Sequence, residues 1–355
     1  MALLWVDGFE KYGEGEGNAE PSYILESKYN DTPRFSSQFG EITANGSTGK
    51  CVYFVGSTSD RFVTPPLTTN ETIIIGVAVK FSAIDDGIFI DLFPPDMYGS
   101  VVDYTNLALS MNSTNNEIDL VRAGTILETS NGLNILPNQW YYLEWKATCD
   151  DTTGISEVKI DGNTVIDFTG DTKYQTDYDF FSFVSFTAAS SFVVYFDDFY
   201  VCDGSGNTNN DFLGSCNVYT LSPSSDVSND WSLSSGNTAY SLLDADTQNI
   251  SERVSSNTSG DKCKVEFETF NGSGQIAGAM VSCDASVNTT HAVQSTNKIK
   301  LNTYNDSGTA NYMGDCMTGT NNKSLCSSFI MEKDADGSSW NSTTINDLRV
   351  EVEVD

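Results

Sequence analysis

Basic side chains are scarce in this sequence: 18 Lys plus Arg stand against 49 Asp plus Glu, a formal net charge of −31. Both halves share the imbalance, with ten basic and 30 acidic residues over 1–205 and eight and 19 over 206–355. No basic stripe is present to neutralise phosphates, which excludes nucleic-acid binding by electrostatics. The acid excess reads first as solubility and self-repulsion, screened in a salty medium, and second as a source of cation ligands. Histidine occurs once, as His291 in a Thr/Asn-rich stretch, so a Ser–His or Cys–His device would rest on that residue alone. No GxxxxGKS phosphate loop occurs, and Gly13 to Gly17 lacks a strand–loop–helix context.

The eight cysteines, Cys51, Cys149, Cys202, Cys216, Cys263, Cys283, Cys316 and Cys326, contain no CxxC pair, which argues against zinc. Cys316/Cys326 and Cys202/Cys216 are near enough in sequence to pair, while buried free thiols are the ordinary alternative. The reading is thiols reduced at synthesis, with optional disulfides later. No apolar run approaches the roughly 18 residues of a membrane span, and Phe180 to Phe196 is broken by Ser and Thr. The opening Met-Ala-Leu-Leu-Trp-Val-Asp-Gly-Phe-Glu has no basic segment and too short an apolar run for a signal peptide. The eleven Asn-x-Ser/Thr sequons then reflect a chain crowded with Asn, Ser and Thr.

Strong helix formers are thin as well. What is present is aromatic (12%) and hydrophobic (39%) enough to build packed cores, set among turn-forming residues, a composition that favours all-β structure. Trp140-Tyr-Tyr-Leu-Glu-Trp-Lys-Ala147 alternates large apolar and polar residues at a period of two, as a strand packed on one face does. Val158-Lys-Ile runs into Asp161-Gly162-Asn163, a hairpin connection in which Gly162 and Asn163 can take positive φ. Thr72 to Phe81 is the strongest apolar strand. Strands are also predicted over 3–10, 49–55, 88–93, 106–111, 117–122 and 193–201, spaced as in a sandwich or jelly roll. Asp203-Gly-Ser-Gly-Asn-Thr-Asn-Asn-Asp211 is a small polar connector. Beyond it, strands are expected over Phe212–Pro223, Cys263–Phe270, Gln275–Val281, Asn297–Asn302 and Leu348–Val354. The organisation predicted is a first β domain over 1–203, a linker over 204–211 and a smaller β-sandwich domain over 212–355.

A Trp-containing strand, a strand ending in Asp-Gly and a closing Phe196-Asp-Asp-Phe-Tyr-Val201 together resemble the back half of a concanavalin A-like (laminin-G-like) jelly roll. The junction Asp197-Asp-Phe-Tyr-Val-Cys-Asp-Gly-Ser-Gly…Asn209-Asn-Asp-Phe-Leu-Gly-Ser-Cys-Asn-Val-Tyr-Thr-Leu-Ser-Pro223 is similar to one in structural proteins of tailed bacteriophages. The opening Leu-Leu-Trp-Val-Asp-Gly-Phe-Glu-x-Tyr12 is similar to theirs too. The resemblance covers about forty residues and implies a virion protein.

For chemistry, Glu117-Ile-Asp-Leu-Val121 is the sharpest candidate. Jelly-roll glucanases carry Glu-x-Asp-x-Glu on one strand, aiming three acids into the cleft. Here Val121 stands where the acid/base belongs, and a retaining glycosidase needs two carboxyl groups roughly 5 Å apart. The expectation is therefore an ordinary strand with two exposed acids, and no enzyme. The jelly-roll resemblance also admits calcium, which takes six to eight oxygens; Asp7, Asp197 and Asp198 would converge if the first and last strands are neighbours. Glycan stacking would use aromatics in loop-like contexts, with Tyr98, Tyr104, Tyr174 and Tyr178 as the candidates.

These readings combine into an acidic two-domain β protein of a bacteriophage particle, located on the virion, with assembly and surface display as its work. A capsid-associated decoration or fibre-like role leads. A tail appendage binding host-surface glycans is the alternative, and a glycanase comes third. The implied partners are further copies of the chain, as a trimer, and the capsid protein.

Overall fold

The computed structural model describes residues 2–10, 28–29, 40–44, 47–55, 61–95, 107–174, 177–188, 193–236, 238–243, 252–287, 299–305, 308, 310–316, 319–320 and 325–355. The chain divides into two compact units, Met1–Val218 and Tyr219–Asp355. That division falls later than the predicted linker at 204–211, which packs as part of the first unit. Among the described residues no helix is long and apolar enough to cross a membrane.

The first unit is an antiparallel β-sandwich. Its strands are β1 (Leu3–Asp7), β2 (Gly40–Ala44), β3 (Ser47–Val55), β4 (Arg61–Val63), β5 (Thr72–Phe81), β6 (Gly87–Phe93), β7 (Leu107–Asn112), β8 (Glu117–Arg122), β9 (Thr125–Thr129), β10 (Trp140–Thr148), β11 (Gly154–Ile160), β12 (Asn163–Gly170), β13 (Phe183–Thr187) and β14 (Val193–Asp203). One sheet runs β12-β11-β10-β5-β14-β3-β2 with β1 also on β14, and the other runs β4-β13-β6-β7-β8-β9. Phenylalanines join the two: Phe186 of β13 lies 4.6 Å from Phe196 and 4.8 Å from Phe199 of β14, centroid to centroid. Phe81 of β5 meets Phe89 of β6 edge-on at 5.1 Å. Such contacts add to the apolar burial that drives the sheets together.

Local chemistry explains the strands that matter for the site. β5 is apolar along almost its whole length because it is central and covered on both faces. The β11–β12 turn takes left-handed φ at Asp161 (50°) and Gly162 (78°), the pair a two-residue hairpin requires; Asn163 instead opens β12. The first and last strands are neighbours, as expected. β3 pairs with the first half of β14 and β1 with the second, with a bulge between Asp197 and Tyr200 on the β5 side. Asp198 sits in that bulge at φ 48°.

The second unit contains β15 (Pro223–Asn229), β16 (Ser232–Leu233), β17 (Val254–Ser255), β18 (Lys262–Phe267), β19 (Ala279–Val287), β20 (Ile299–Tyr304), β21 (Ala310–Cys316), β22 (Gly319–Thr320), β23 (Leu325–Met331), the short helix α1 (Ser342–Asn346) and β24 (Arg349–Val354). A five-stranded sheet, β15-β18-β24-β20-β21, faces a three-stranded one, β22-β19-β23. Their shared core holds Val281, Leu301, Cys316, Met331, Trp340 and Val350. The strand expected over Gln275–Val281 begins only at Ala279. The strand expected over Phe212–Pro223 is absent, and β15 starts at Pro223, where a missing N–H is harmless at a strand's first residue.

Candidate functional site

The segment that leaves β14 is held to the first unit by buried polar side chains. Tyr142 and Glu144 of β10 and Tyr200 of β14 lie under it, and Gly76 of β5 lies beside them as cross-strand partner of both Glu144 and Tyr200. A Cβ at residue 76 would overlap the Tyr200 ring, so glycine is required there. The Tyr200 hydroxyl donates to Glu144 Oε1 at 2.6 Å and accepts from the Leu213 N–H at 3.1 Å. The same Glu144 oxygen accepts from the Gly214 N–H at 2.8 Å, and Asp198 Oδ1 accepts from the Val218 N–H at 2.7 Å. Lys146 pairs with Asp211 at 3.0 Å, and the Lys159 ammonium stands 4.0 Å from the Phe212 ring centre. Backbone donors that a strand would place in a ladder are taken here by side chains, which is why 212–218 is no strand. Burial, and then the Glu144 carboxylate, pushes the Tyr200 phenol far up, so it stays a donor.

Next to this clamp lies a group of carboxyls where β1 meets β14. Asp7 is fully engaged: Oδ1 accepts from the Phe9 N–H at 3.0 Å, while Oδ2 takes the Lys28 ammonium at 2.7 Å and the Tyr29 hydroxyl at 2.5 Å. Trp5 Nε1 donates to Tyr29 at 2.9 Å, and Lys28 lies 5.1 Å from the Trp5 ring centre. Asp197 and Asp198 are 1% and 2% exposed. Asp197 Oδ1 accepts the neighbouring Asp198 N–H, at 2.8 Å. Asp198 Oδ2 and Glu10 Oε2 are buried with no hydrogen-bond partner among the described residues. Burial, with Asp197 next in weight, pushes Glu10 up to about 9. Burial and Asp198 push Asp197 to about 8, and burial pushes Asp198 to about 6. These groups hold protons that ordinary carboxyls release.

The calcium set of Asp7, Asp197 and Asp198 does not fit this arrangement. Lys28 already compensates Asp7, and among the described residues no three His, Cys, Asp or Glu side chains are grouped to hold a metal. Glu10, which spacing did not single out, is the residue sequence reasoning missed; the turn at Asp7-Gly-Phe9, with Phe9 at φ 60°, brings it back beside β14's acids.

Glu117 and Asp119 do share a face of β8, beside Ser110 and Asn112 on β7. Asp119 is not exposed, contrary to expectation. It is 6% exposed, taking Thr129 Oγ1 at 2.6 Å and Asn112 Nδ2 at 3.1 Å. Val121, at the third position, is buried against Ala108 and Ile126 as cross-strand partners. Further along this face Asp91 and Ser185 are cross-strand partners, both buried. Of the aromatic candidates, Tyr98 and Tyr104 lie outside the described residues, as does His291. Tyr174 is half-buried, whereas Tyr178 is exposed and meets Phe180 edge-on at 5.3 Å.

No protein-family model and no curated protein matches the chain. Solved structures share its fold at low similarity. The alginate lyase Aly36B is 12% identical with a TM-score of 0.38, over 56% of this chain and 96% of that one. A Trypanosoma rangeli sialidase is 13% identical with a TM-score of 0.31, over 47% of this chain and 27% of that one. The botulinum neurotoxin type G receptor binding domain is 10% identical with a TM-score of 0.34, over 57% and 47%. Likeness at this level transfers no activity. It does correct one expectation: with a lyase and a sialidase among the proteins that share this architecture, the statement that the chain is no enzyme is overturned and set aside.

Proposed function

We propose that this chain is a structural protein of a tailed-bacteriophage particle, with its first unit as a displayed jelly-roll domain. One observation supports the reading above others. The residues that carry the resemblance to phage structural proteins are the residues of the clamp: Asp198 and Tyr200 before the junction, Asp211, Phe212, Leu213, Gly214 and Val218 after it. Their side chains and amides fix the path by which the chain leaves the sandwich. A chain held in order up to the end of the sandwich suits a protein built into a particle better than a slack tether does.

Assembly as a homo-oligomer, with a trimer favoured, goes with this reading. Ile126 is 55% exposed on β9, an edge strand of the first unit, and Tyr312 is 59% exposed on β21, an edge strand of the second. Exposed apolar side chains on such edge strands are what self-association covers. The docking partner proposed is the capsid protein.

The test is particle composition. Gradient-purified particles from lysates of the host carrying this gene are digested for mass spectrometry and imaged by cryo-electron microscopy. Density for the chain over the capsid supports a decoration protein. Density at the tail tip or fibres moves the reading to an appendage for host-surface glycans, which a glycan array then probes. Particles without its peptides overturn the virion reading.

A further inference from the structure

Cys283 and Cys316 meet between the two sheets of the second unit. On β19, Val281, Cys283 and Ala285 share one face by the period of two, and Val281 and Ala285 are buried in the core cluster that also contains Cys316. β21, from the opposite sheet, packs against both β19 and β23. The sheets come close at Gly314, where a Cβ would overlap the Phe329 ring. Phe329 is the cross-strand partner of Val281, and Ser327 is that of Cys283. A step of two residues thus carries Gly314 to Cys316 on one sheet, and Val281 to Cys283 on the other. There the two thiols are each other's hydrogen-bond partners, an arrangement that keeps the proton on Cys283 and lowers the Cys316 thiol. Both are free. Cys326 is cross-strand from Asp284, so it projects from the opposite face of that sheet to Cys283, and its thiol lies 3.9 Å from Ser328 Oγ.

We propose that Cys283 and Cys316 are a disulfide-forming pair that staples the two sheets of the second unit together once the protein meets an oxidant of the small-molecule disulfide class. The pairing differs from Cys316/Cys326, the one that nearness in sequence favours. Chemically, the Cys316 thiolate, the more readily formed of the two, attacks the small disulfide, releasing one small thiol and forming a mixed disulfide. Cys283 then gives up its proton, attacks the Cys316 sulfur and expels the second small thiol. Two protein thiols are oxidised, one small disulfide is reduced to two thiols, and the two protein protons leave with them. The bridge closes a loop from 283 to 316 and ties β21 to β19, so it restricts the unfolded chain and leaves the sheets in place.

The experiment uses the full chain, held natively with oxidised glutathione, then capped with N-ethylmaleimide, unfolded and cut with trypsin. Cleavage after Lys264, Lys298, Lys300, Lys323 and Lys333 puts Cys283, Cys316 and Cys326 on separate peptides, 265–298, 301–323 and 324–333. The expected product is 265–298 linked to 301–323, lost on adding dithiothreitol. Cys326→Ser keeps that link, and Cys283→Ser abolishes it. Capped or glutathione-bearing Cys283 and Cys316 without a link, a 301–323 to 324–333 link, or loss of the bridge in Cys326→Ser overturns the proposal.

Discussion

The Tyr200 hydroxyl donates a hydrogen bond to Glu144 Oε1 at 2.6 Å while the Tyr200 ring fills the space a side chain at Gly76 would need. β5, β10 and β14 are adjacent strands, so one glycine in the middle lets the two large polar residues on either side close over it. Gly76→Ala is the direct probe. A methyl group that overlaps a buried ring costs about 1–3 kcal/mol, so the melting temperature of the first unit falls by several degrees. Because the ring must move, the strap over 211–218 also becomes a site of limited proteolysis. A Gly76→Ala protein with unchanged melting and cleavage would falsify this packing.

Tyr200→Phe separates the hydrogen bonds from the packing. The ring stays, but the Leu213 N–H loses its acceptor and Glu144 loses a donor. Each buried group left unsatisfied costs about 1–3 kcal/mol. Hydrogen exchange at Leu213 and Gly214 is expected to quicken by one to two orders of magnitude, while the amides of β5 change little. Equal acceleration across β5 would mean that the hydroxyl supports the sandwich itself rather than the exit.

Lys28→Met leaves the Asp7 carboxylate buried, with Lys28 and Asp7 side chains only 2% and 4% exposed in the native pair. Breaking a buried ion pair from one side costs about 3–5 kcal/mol. Adding Asp7→Asn to the same variant removes the orphaned charge and recovers part of the loss. Urea unfolding of both singles and the double forms a cycle whose coupling is expected to exceed about 1 kcal/mol. A coupling near zero would reduce the pair to ordinary surface charge.

Much of the first unit is legible because its strands obey local rules. Alternation marks β10, an apolar run marks β5, and Asp161-Gly162 marks its hairpin. The neighbouring of β1 and β14 also accords with their order in a jelly roll. The exit strap is not legible: Phe212 to Val218 reads as a strand until the distant acceptors Tyr200, Glu144 and Asp198 are in place. Asp119 misleads for the same reason. An acid on a period-two face reads as exposed, yet Asn112 and Thr129 on the flanking strands make its burial tolerable. In the second unit, β15, β21 and β23 are missed. Pro-Ser-Ser-Asp-Val-Ser-Asn carries no strand pattern of its own, and only pairing with β18 makes it one.

The carboxyls of Glu10, Asp197 and Asp198 set a pH dependence whose sign is fixed. Burial raises all three, to about 9, 8 and 6, so the folded chain binds protons that the unfolded chain releases near pH 4. Their contribution is complete below that unfolded value and is lost as pH rises through the folded values, between about pH 4 and 9. The wild-type first unit is therefore expected to melt at progressively lower temperature from pH 5 to pH 9. Glu10→Gln, neutral throughout, escapes the largest part of that loss, so its melting temperature relative to wild type climbs across the same window. Differential scanning calorimetry at pH 5, 7 and 9 measures the crossing. Millimolar calcium at pH 9 is expected to leave the wild-type curve in place, since Lys28 holds Asp7. A calcium-dependent rise that Glu10→Gln abolishes would instead make these carboxylates cation ligands, and a flat difference between the two proteins would remove Glu10 from the buried cluster.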